Sequence, residues 1–317
     1  MSELYLGIDL GGTTVKFGLV DDLGKIHKQW KIPTNIENHG NNILPDIIDS
    51  ISTNISDQKN TKDMIVGIGM GTPGTVNQER GTVTGAFNLN WTTEQPLKEE
   101  IESAFHIPFF VENDANVAAL GERWVGAGEN QNEVVFVTLG TGIGGGVIAN
   151  GKLLHGIAGS AGEIGHIVVN PDGYPCTCGN RGCLETIASA TGIARVAEDF
   201  AKKNNDSKLF EAEIIDSKAV FELAKLGDSV AIEVVDYVTY YLAWGLGQVA
   251  DVLNPQYIVI GGGVSASGDF LIDRINKFFP NFVFDNVKKT TSIRLAQLGN
   301  EAGILGAASL VRESLHE

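Results

Sequence analysis

One short pattern occurs twice in this chain, and it restricts the possible folds more than any other feature. Ile8-Asp9-Leu10-Gly11-Gly12 lines up with Val137-Thr138-Leu139-Gly140-Thr141. In each copy an apolar strand runs into glycines and a second strand follows, over residues 4–10 then 15–20, and 133–139 then 147–149. Strand, glycine turn, strand reads as a hairpin, not as the strand-to-helix loop of a phosphate-binding βαβ unit. Such turns can still present backbone N–H groups to a phosphate. Two halves built alike, each with a phosphate turn, predict two related α/β domains facing a shared cleft.

The second copy invites other readings. Gly140, Gly142 and Gly145 fit G-x-G-x-x-G, but a dinucleotide fold needs a helix next, and Asn150-Gly151 turns another hairpin instead. With Val147 the spacing also fits a protein-kinase glycine loop, yet neither H-R-D nor D-F-G occurs in the chain. In the first copy, Asp9 at a strand end can hold magnesium directly or through water. Lys16 can offset phosphate charge. A plain hairpin turn is the alternative for that stretch.

All three cysteines fall within residues 160–185, a segment bounded by Glu163 and Glu185. His166, Cys176, Cys178 and Cys183 supply one imidazole and three thiolates, the ligand set of a closed tetrahedral zinc site. Soft thiolates select zinc over calcium or magnesium, and an odd cysteine speaks against a disulfide framework. Four protein ligands leave no position for water, so the metal reads as structural, bracing the two carboxylates at the ends of the segment. The second ring nitrogen of a zinc-bound His166 needs its own partner, a carbonyl or a ligand hydroxyl.

A length of 317 residues suffices for two domains, and 43% hydrophobic with 20% charged residues describes an ordinary globular chain. The net charge of −16 argues against a nucleic-acid partner. Met1-Ser-Glu-Leu-Tyr5 has no basic region followed by an apolar run, so no signal peptide is expected. The most apolar long stretch, residues 230–253, carries Glu233, Asp236, Gln248 and Asp251 and reads as a buried helix. Reduced cysteines and no signal point to the cytoplasm and to no membrane partner.

Elsewhere, Ile43, Leu44, Ile47, Ile48, Ile51 and Ile55 share one face of a helix over residues 42–58. Gly71-Thr-Pro-Gly-Thr75 marks a turn at a strand end, a frequent ligand position in open sheets. Phe109-Phe-Val-Glu-Asn-Asp-Ala-Asn116 is a strand breaking into polar residues before a helix over 115–124. Asp114 lies near that helix N-terminus, where the dipole favours its ionised form. It can cap the helix, or accept a hydroxyl proton. Helices are expected over 186–203, 217–226 and 229–253. Gly261-Gly262-Gly263 is a third glycine turn, suited to close approach by a ring or sugar. Residues 299–308 read as a closing helix of small residues that packs tightly.

Five segments in order make the chain resemble the ROK family (repressors, open reading frames, kinases), and its glucokinases in particular. They are Asp9-Leu-Gly-Gly-Thr-Thr-Val-Lys16, Glu112-Asn-Asp-Ala-Asn116, Leu139-Gly-Thr-Gly-Ile-Gly-Gly-Gly146, Ala161-Gly-Glu-Ile-Gly-His166 and Cys176-Thr-Cys-Gly-Asn-Arg-Gly-Cys-Leu-Glu185. The resemblance implies two actin-like, Hsp70-like (ribonuclease H-like) α/β domains with ATP between them. A small domain would span 1–120, completed by a helix over 301–317. A larger one would span 121–300, with the zinc segment 160–185 inserted.

By the same resemblance, Asp114 is the general base that takes the proton of the glucose 6-hydroxyl. Gly74, Asn113, Glu163, His166 and Glu185 hold the sugar, so that His166 serves both zinc and sugar. Asp9 with Mg2+, Gly11, Gly12, Thr13, Thr14, Lys16, Thr141, Gly142 and Gly144 hold phosphates, and Gly261, Gly262 and Gly263 the adenosine. Kinases of N-acetylmannosamine, mannose and fructose share this constellation, and a non-catalytic sugar-binding regulator is a further alternative. The family's repressors carry a DNA-binding domain before the first phosphate turn, for which this chain has no room. Relatives are commonly homo-oligomers, dimers or tetramers.

Overall fold

The computed structural model describes residues 3–56, 61–203, 208–211 and 215–316. Its chain divides into two compact units, residues 1–130 with 155–161 and 300–317, and residues 131–154 with 162–299.

The first unit is built on strands β1 (Leu4–Leu10), β2 (Thr14–Asp21) and β3 (Ile26–Pro33), then helices α1 (Ile43–Ser56) and α2 (Thr61–Met64). Strands β4 (Ile65–Thr72), β5 (Thr75–Asn77) and β6 (Thr82–Thr84) follow, then α3 (Leu97–Phe105), β7 (Phe109–Asn113) and α4 (Asp114–Val125). Five strands form one sheet in the order β3-β2-β1-β4-β7, while β5 and β6 pair as a separate hairpin. β1 is buried along nearly its whole length, as expected for a central strand covered on both faces. The edge strand β3 instead alternates half-buried and exposed residues. Ile47, Ile51 and Ile55 of α1 are buried, while residues 57–58 of the expected helix lie outside the described residues.

The second unit opens with β8 (Val134–Leu139), β9 (Ile143–Ala149) and β10 (Lys152–Leu153), then α5 (Glu185–Ala188) and α6 (Ala190–Ala201). It continues through α7 (Ser217–Lys225), α8 (Ser229–Leu253), β11 (Tyr257–Gly261), α9 (Asp269–Phe278), α10 (Asp285–Thr290) and β12 (Ser292–Leu295). Its sheet runs β10-β9-β8-β11-β12. Both sheets therefore share one plan: an antiparallel meander on one side of the first strand, and two parallel strands on the other. α8 buries Leu242 and Leu246 in the core with Val135, Val137 and Ile260. Among the described residues, no helix is long and apolar enough to cross a membrane.

Two boundaries differ from the sequence expectation. The helix expected over 186–203 is two helices, because Ser189 leaves the helical conformation and its hydroxyl accepts from the Gly192 N–H to cap α6. The glycine turn expected to run to Gly146 closes at Gly142, with the Gly140 N–H bonded to the Gly142 carbonyl. Gly144, Gly145 and Gly146 are residues of β9. Gly145 is needed for packing, since a Cβ there would lie 2.4 Å from the Gly162 carbonyl oxygen.

The last helix, α11 (Ala302–His316), returns to the first unit. Its backbone lies so close to the sheet that a Cβ on Gly7 or Gly69 would fall 2.2 or 2.0 Å from the carbonyl oxygens of Ile304 and Ala307. Against α4, a Cβ on Gly306 would sit 1.7 Å from the Val117 carbonyl oxygen.

Candidate active site

In the first unit the functional side chains gather at the ends of β1, β4 and β7. β1 and β2 close their hairpin tightly, with the Gly11 N–H bonded to the Thr14 carbonyl at 3.1 Å. The turn is held from β3's end, where the Thr34 hydroxyl donates to the Gly11 carbonyl at 2.7 Å. Asp9 and Lys16 are cross-strand neighbours, and the Lys16 ammonium lies 3.0 Å from the Asp9 carboxylate. The carboxylate expected to face magnesium and the cation expected to face phosphate are thus engaged with each other.

At the start of α4, two neighbouring side chains meet the same backbone N–H. Asn113 is the N-cap, its side-chain oxygen accepting from the Ala115 N–H at 3.0 Å, and Asp114 is the first helical residue. The Asn113 amide also reaches the Gly74 carbonyl at 3.4 Å, in a turn where Gly74 has a φ of +98° that only glycine adopts readily. Asp114 likewise accepts from the Ala115 N–H, at 2.8 Å. Its pKa is nevertheless raised, chiefly by the protein packed around it, with the charge of Asp9 adding to the effect and the Ala115 N–H opposing it. The helix N-terminus favours the ionised form, as the dipole argument holds, and burial outweighs it. The residue as a whole is exposed, which limits the size of the rise but not its direction.

Glu112 behaves in the opposite way. Burial favours its neutral form, yet hydrogen bonds from His155, Asn116 and the Asn113 N–H outweigh it and pull the pKa below normal. His155 and Gln78 were not among the residues singled out from sequence. The one visible signal was Glu112 itself, an acid in the otherwise apolar run of β7.

In the second unit, Glu185 begins α5, and one of its carboxylate oxygens accepts from the Ile143 N–H at 2.9 Å. A Cβ on Gly142 would stand 2.3 Å from that carboxylate, so a larger residue there would displace the Glu185 side chain. Glu185 thus pins the second glycine turn, and Thr141 is tied down by its carbonyl, which accepts from the Thr191 hydroxyl at 2.8 Å. After β11, Gly262 takes a φ of +82° and packs against the Leu139 backbone, where a Cβ would come within 2.6 Å. Gly261 is buried at the strand end, and Gly263 is exposed.

The same unit folds residues 164–185 so that His166, Cys176, Cys178 and Cys183 place their ligand atoms within 4.8 Å of one another. His166 Nδ1 lies 3.5 Å from Cys176 Sγ, and Cys178 Sγ lies 3.6 Å from Cys183 Sγ. Backbone hydrogen bonding around Asn180 lowers the pKa of Cys178, whereas burial pushes Cys183 up to about 12. One imidazole and three sulfurs converging this closely fit a tetrahedral zinc ion. The other ring nitrogen, Nε2, faces away toward Glu163, 3.8 Å from its carboxylate.

Comparison with known proteins gives this geometry a context. The model of the ROK family matches residues 5–314. A glucokinase of Halalkalibacterium halodurans is 43% identical over 314 residues, covering 98% of this chain and 95% of that protein. A glucokinase of Thermotoga maritima is 37% identical, covering 98% of each. Among solved structures, a ROK family glucokinase from Streptomyces griseus in complex with glucose and AMPPNP superposes with a TM-score of 0.78. It is 35% identical, covering 98% of this chain and 99% of the other.

Proposed function

This chain belongs to the ROK family, and from that premise we propose that it is an ATP-dependent hexose kinase acting as a glucokinase, with Asp114 as its general base. The observation that carries the assignment of the base is the setting of Asp114 at the start of α4. Asn113 is the N-cap, and Asp114, the first helical residue, is exposed and has a raised pKa that makes it a better proton acceptor.

The reaction follows from that carboxylate. Asp114 takes the proton of the sugar 6-hydroxyl as that oxygen attacks the γ-phosphorus of ATP. A new O–P bond forms, the bond from the γ-phosphorus to the bridging oxygen breaks, and ADP leaves with that electron pair. Such transfers depend on positioning and charge neutralisation. Asn113 and the Gly74 backbone, with Glu163, His166 and Glu185, hold the sugar hydroxyls. Gly12, Thr13 and Thr14, with Thr141, Gly142 and Gly144, offer N–H and hydroxyl donors to phosphates, Gly11 shapes that turn through its own N–H bond to Thr14, and Gly261–Gly263 lie along the adenosine. Asp9, a half-buried carboxylate at the end of β1, suits a hard cation, and Lys16 beside it suits a phosphate oxygen. When bound there, Mg2+ supplies charge neutralisation on the phosphates.

The sulfur cluster suits structural zinc, held through His166 Nδ1 and the three thiolates. It fixes the imidazole so that Nε2 can meet a sugar hydroxyl beside Glu163. A homo-oligomer, dimer or tetramer, accompanies this reading.

The test is ADP release with Mg-ATP against glucose, mannose, fructose, N-acetylglucosamine and N-acetylmannosamine. Preference for glucose is expected. Preference for another of these sugars overturns glucose while keeping the base, and no turnover with any of them returns the chain to a sugar-binding regulator.

A further inference from the structure

Glu112 is a buried carboxylate, only 3% exposed, with hydrogen-bond partners on both of its oxygens. Burying an ionised acid is costly unless its partners compensate. Oε1 accepts from the Asn113 N–H at 2.8 Å and from the Asn116 amide at 2.9 Å. These two residues flank Asp114 in the chain. Oε2 faces outward, to His155 Nε2 at 2.9 Å and to the Gln78 amide. Gln78 comes from the turn between β5 and β6, and His155 from a segment that follows β10 and packs within the first unit. Asp114 makes none of these contacts. Its position is set by the backbone on either side, and that backbone is held by Glu112.

We propose that Glu112 is the positioning residue for the Asp114 base, and that His155, with Gln78, holds Glu112 in the orientation that does so. The inference rests on the kinase reading of Asp114. A base acts only within hydrogen-bond reach of the proton it takes. The Asn113–Asp114 turn has an anchor at the Asn113 N–H and another at the Asn116 side chain, both on the same carboxylate oxygen. Removing His155 takes one of two donors from the opposite oxygen, leaving the Gln78 amide alone there to hold a buried carboxylate that can then rotate toward other donors or take up a proton. Either change loosens the turn while leaving the sugar's other ligands in place.

The test is steady-state kinetics with Mg-ATP and the hexose that the wild-type enzyme uses best, on His155→Ala, His155→Gln and Glu112→Gln, with Tm for each. A misplaced base costs on the order of 10- to 100-fold in kcat. His155→Ala is expected to lose that much, with the sugar KM changed by no more than about threefold. Glutamine at 155 can place an amide N–H near the imidazole Nε2 position and is expected to restore kcat to within about threefold of wild type. Glu112→Gln is expected to lose kcat in the same way, since an amide cannot accept on both sides. Wild-type kcat in His155→Ala, or no recovery with glutamine, overturns the proposal. So does a loss that falls on the sugar KM alone. If His155→Ala does not fold, His155→Gln beside Glu112→Gln decides: equal kcat in the two overturns it. A wild-type enzyme that turns over no hexose sinks the kinase reading and this inference with it. Wild-type turnover with unaffected variants sinks the inference alone.

Discussion

Asp114 and Glu112 are two positions apart and carry the same chemical group, yet their surroundings move them in opposite directions. Asp114 is raised, first by the protein packed around it and then by the charge of Asp9. Glu112 is lowered because its hydrogen-bond donors outweigh burial. For a base that must be ionised, a raised pKa places the acid limb of kcat/KM above the ordinary aspartate range near about 4. Activity falls as the pH drops through it. The same rise has a sign for stability: the folded state favours the protonated acid, so the contribution is full below the unfolded pKa and lost as pH rises through the folded one. Asp114→Asn is therefore expected to lower kcat by roughly 10²- to 10⁴-fold while keeping sugar binding and a Tm at pH 7 no lower than the parent's. Turnover assays and a thermal melt check both halves. The residues alone leave Asp114 as base or cap, and the resemblance makes it the base. That Asn113 is the N-cap and Asp114 the first helical residue is a matter of backbone conformation at one position.

At the scale of elements, the convergence of His166, Cys176, Cys178 and Cys183 was the most legible feature of the chain, because ligand chemistry is written in residue types and their spacing. The second glycine turn was less so. Glycines required by a turn and glycines required by packing look identical in sequence, and only Glu185 against Gly142 and Ile164 against Gly145 separate them. His155 was invisible, since its partner is brought to it by the fold and not by the chain. Two predictions belong here. Purified protein is expected to hold about one zinc per chain, released by a thiol-modifying reagent and read with a metal-binding dye. Replacing Cys178 with Ser should abolish it and raise the KM for sugar more than that for ATP. In α11, Gly306→Val would drive a side chain into the Val117 carbonyl of α4. The expected cost is about 1–3 kcal/mol or more, measurable by denaturant unfolding, and that helix would have to shift to relieve it.

For the whole molecule, the repeated strand–turn–strand pattern proved the right guide, because each copy heads a sheet with the same strand order. How the chain is shared between the units is implied by the resemblance and not by the pattern, and neither gave residues 155–161 to the first unit. The first takes residues from both ends of the sequence, whereas the second is nearly continuous. This has a consequence for biosynthesis. During translation β1 leaves the ribosome well before α11, the helix that lies against Gly7 and Gly69 and follows every strand in the chain. The second unit has all of its strands available before then. The first unit must wait, with the part of its sheet that α11 covers still open, until that helix emerges.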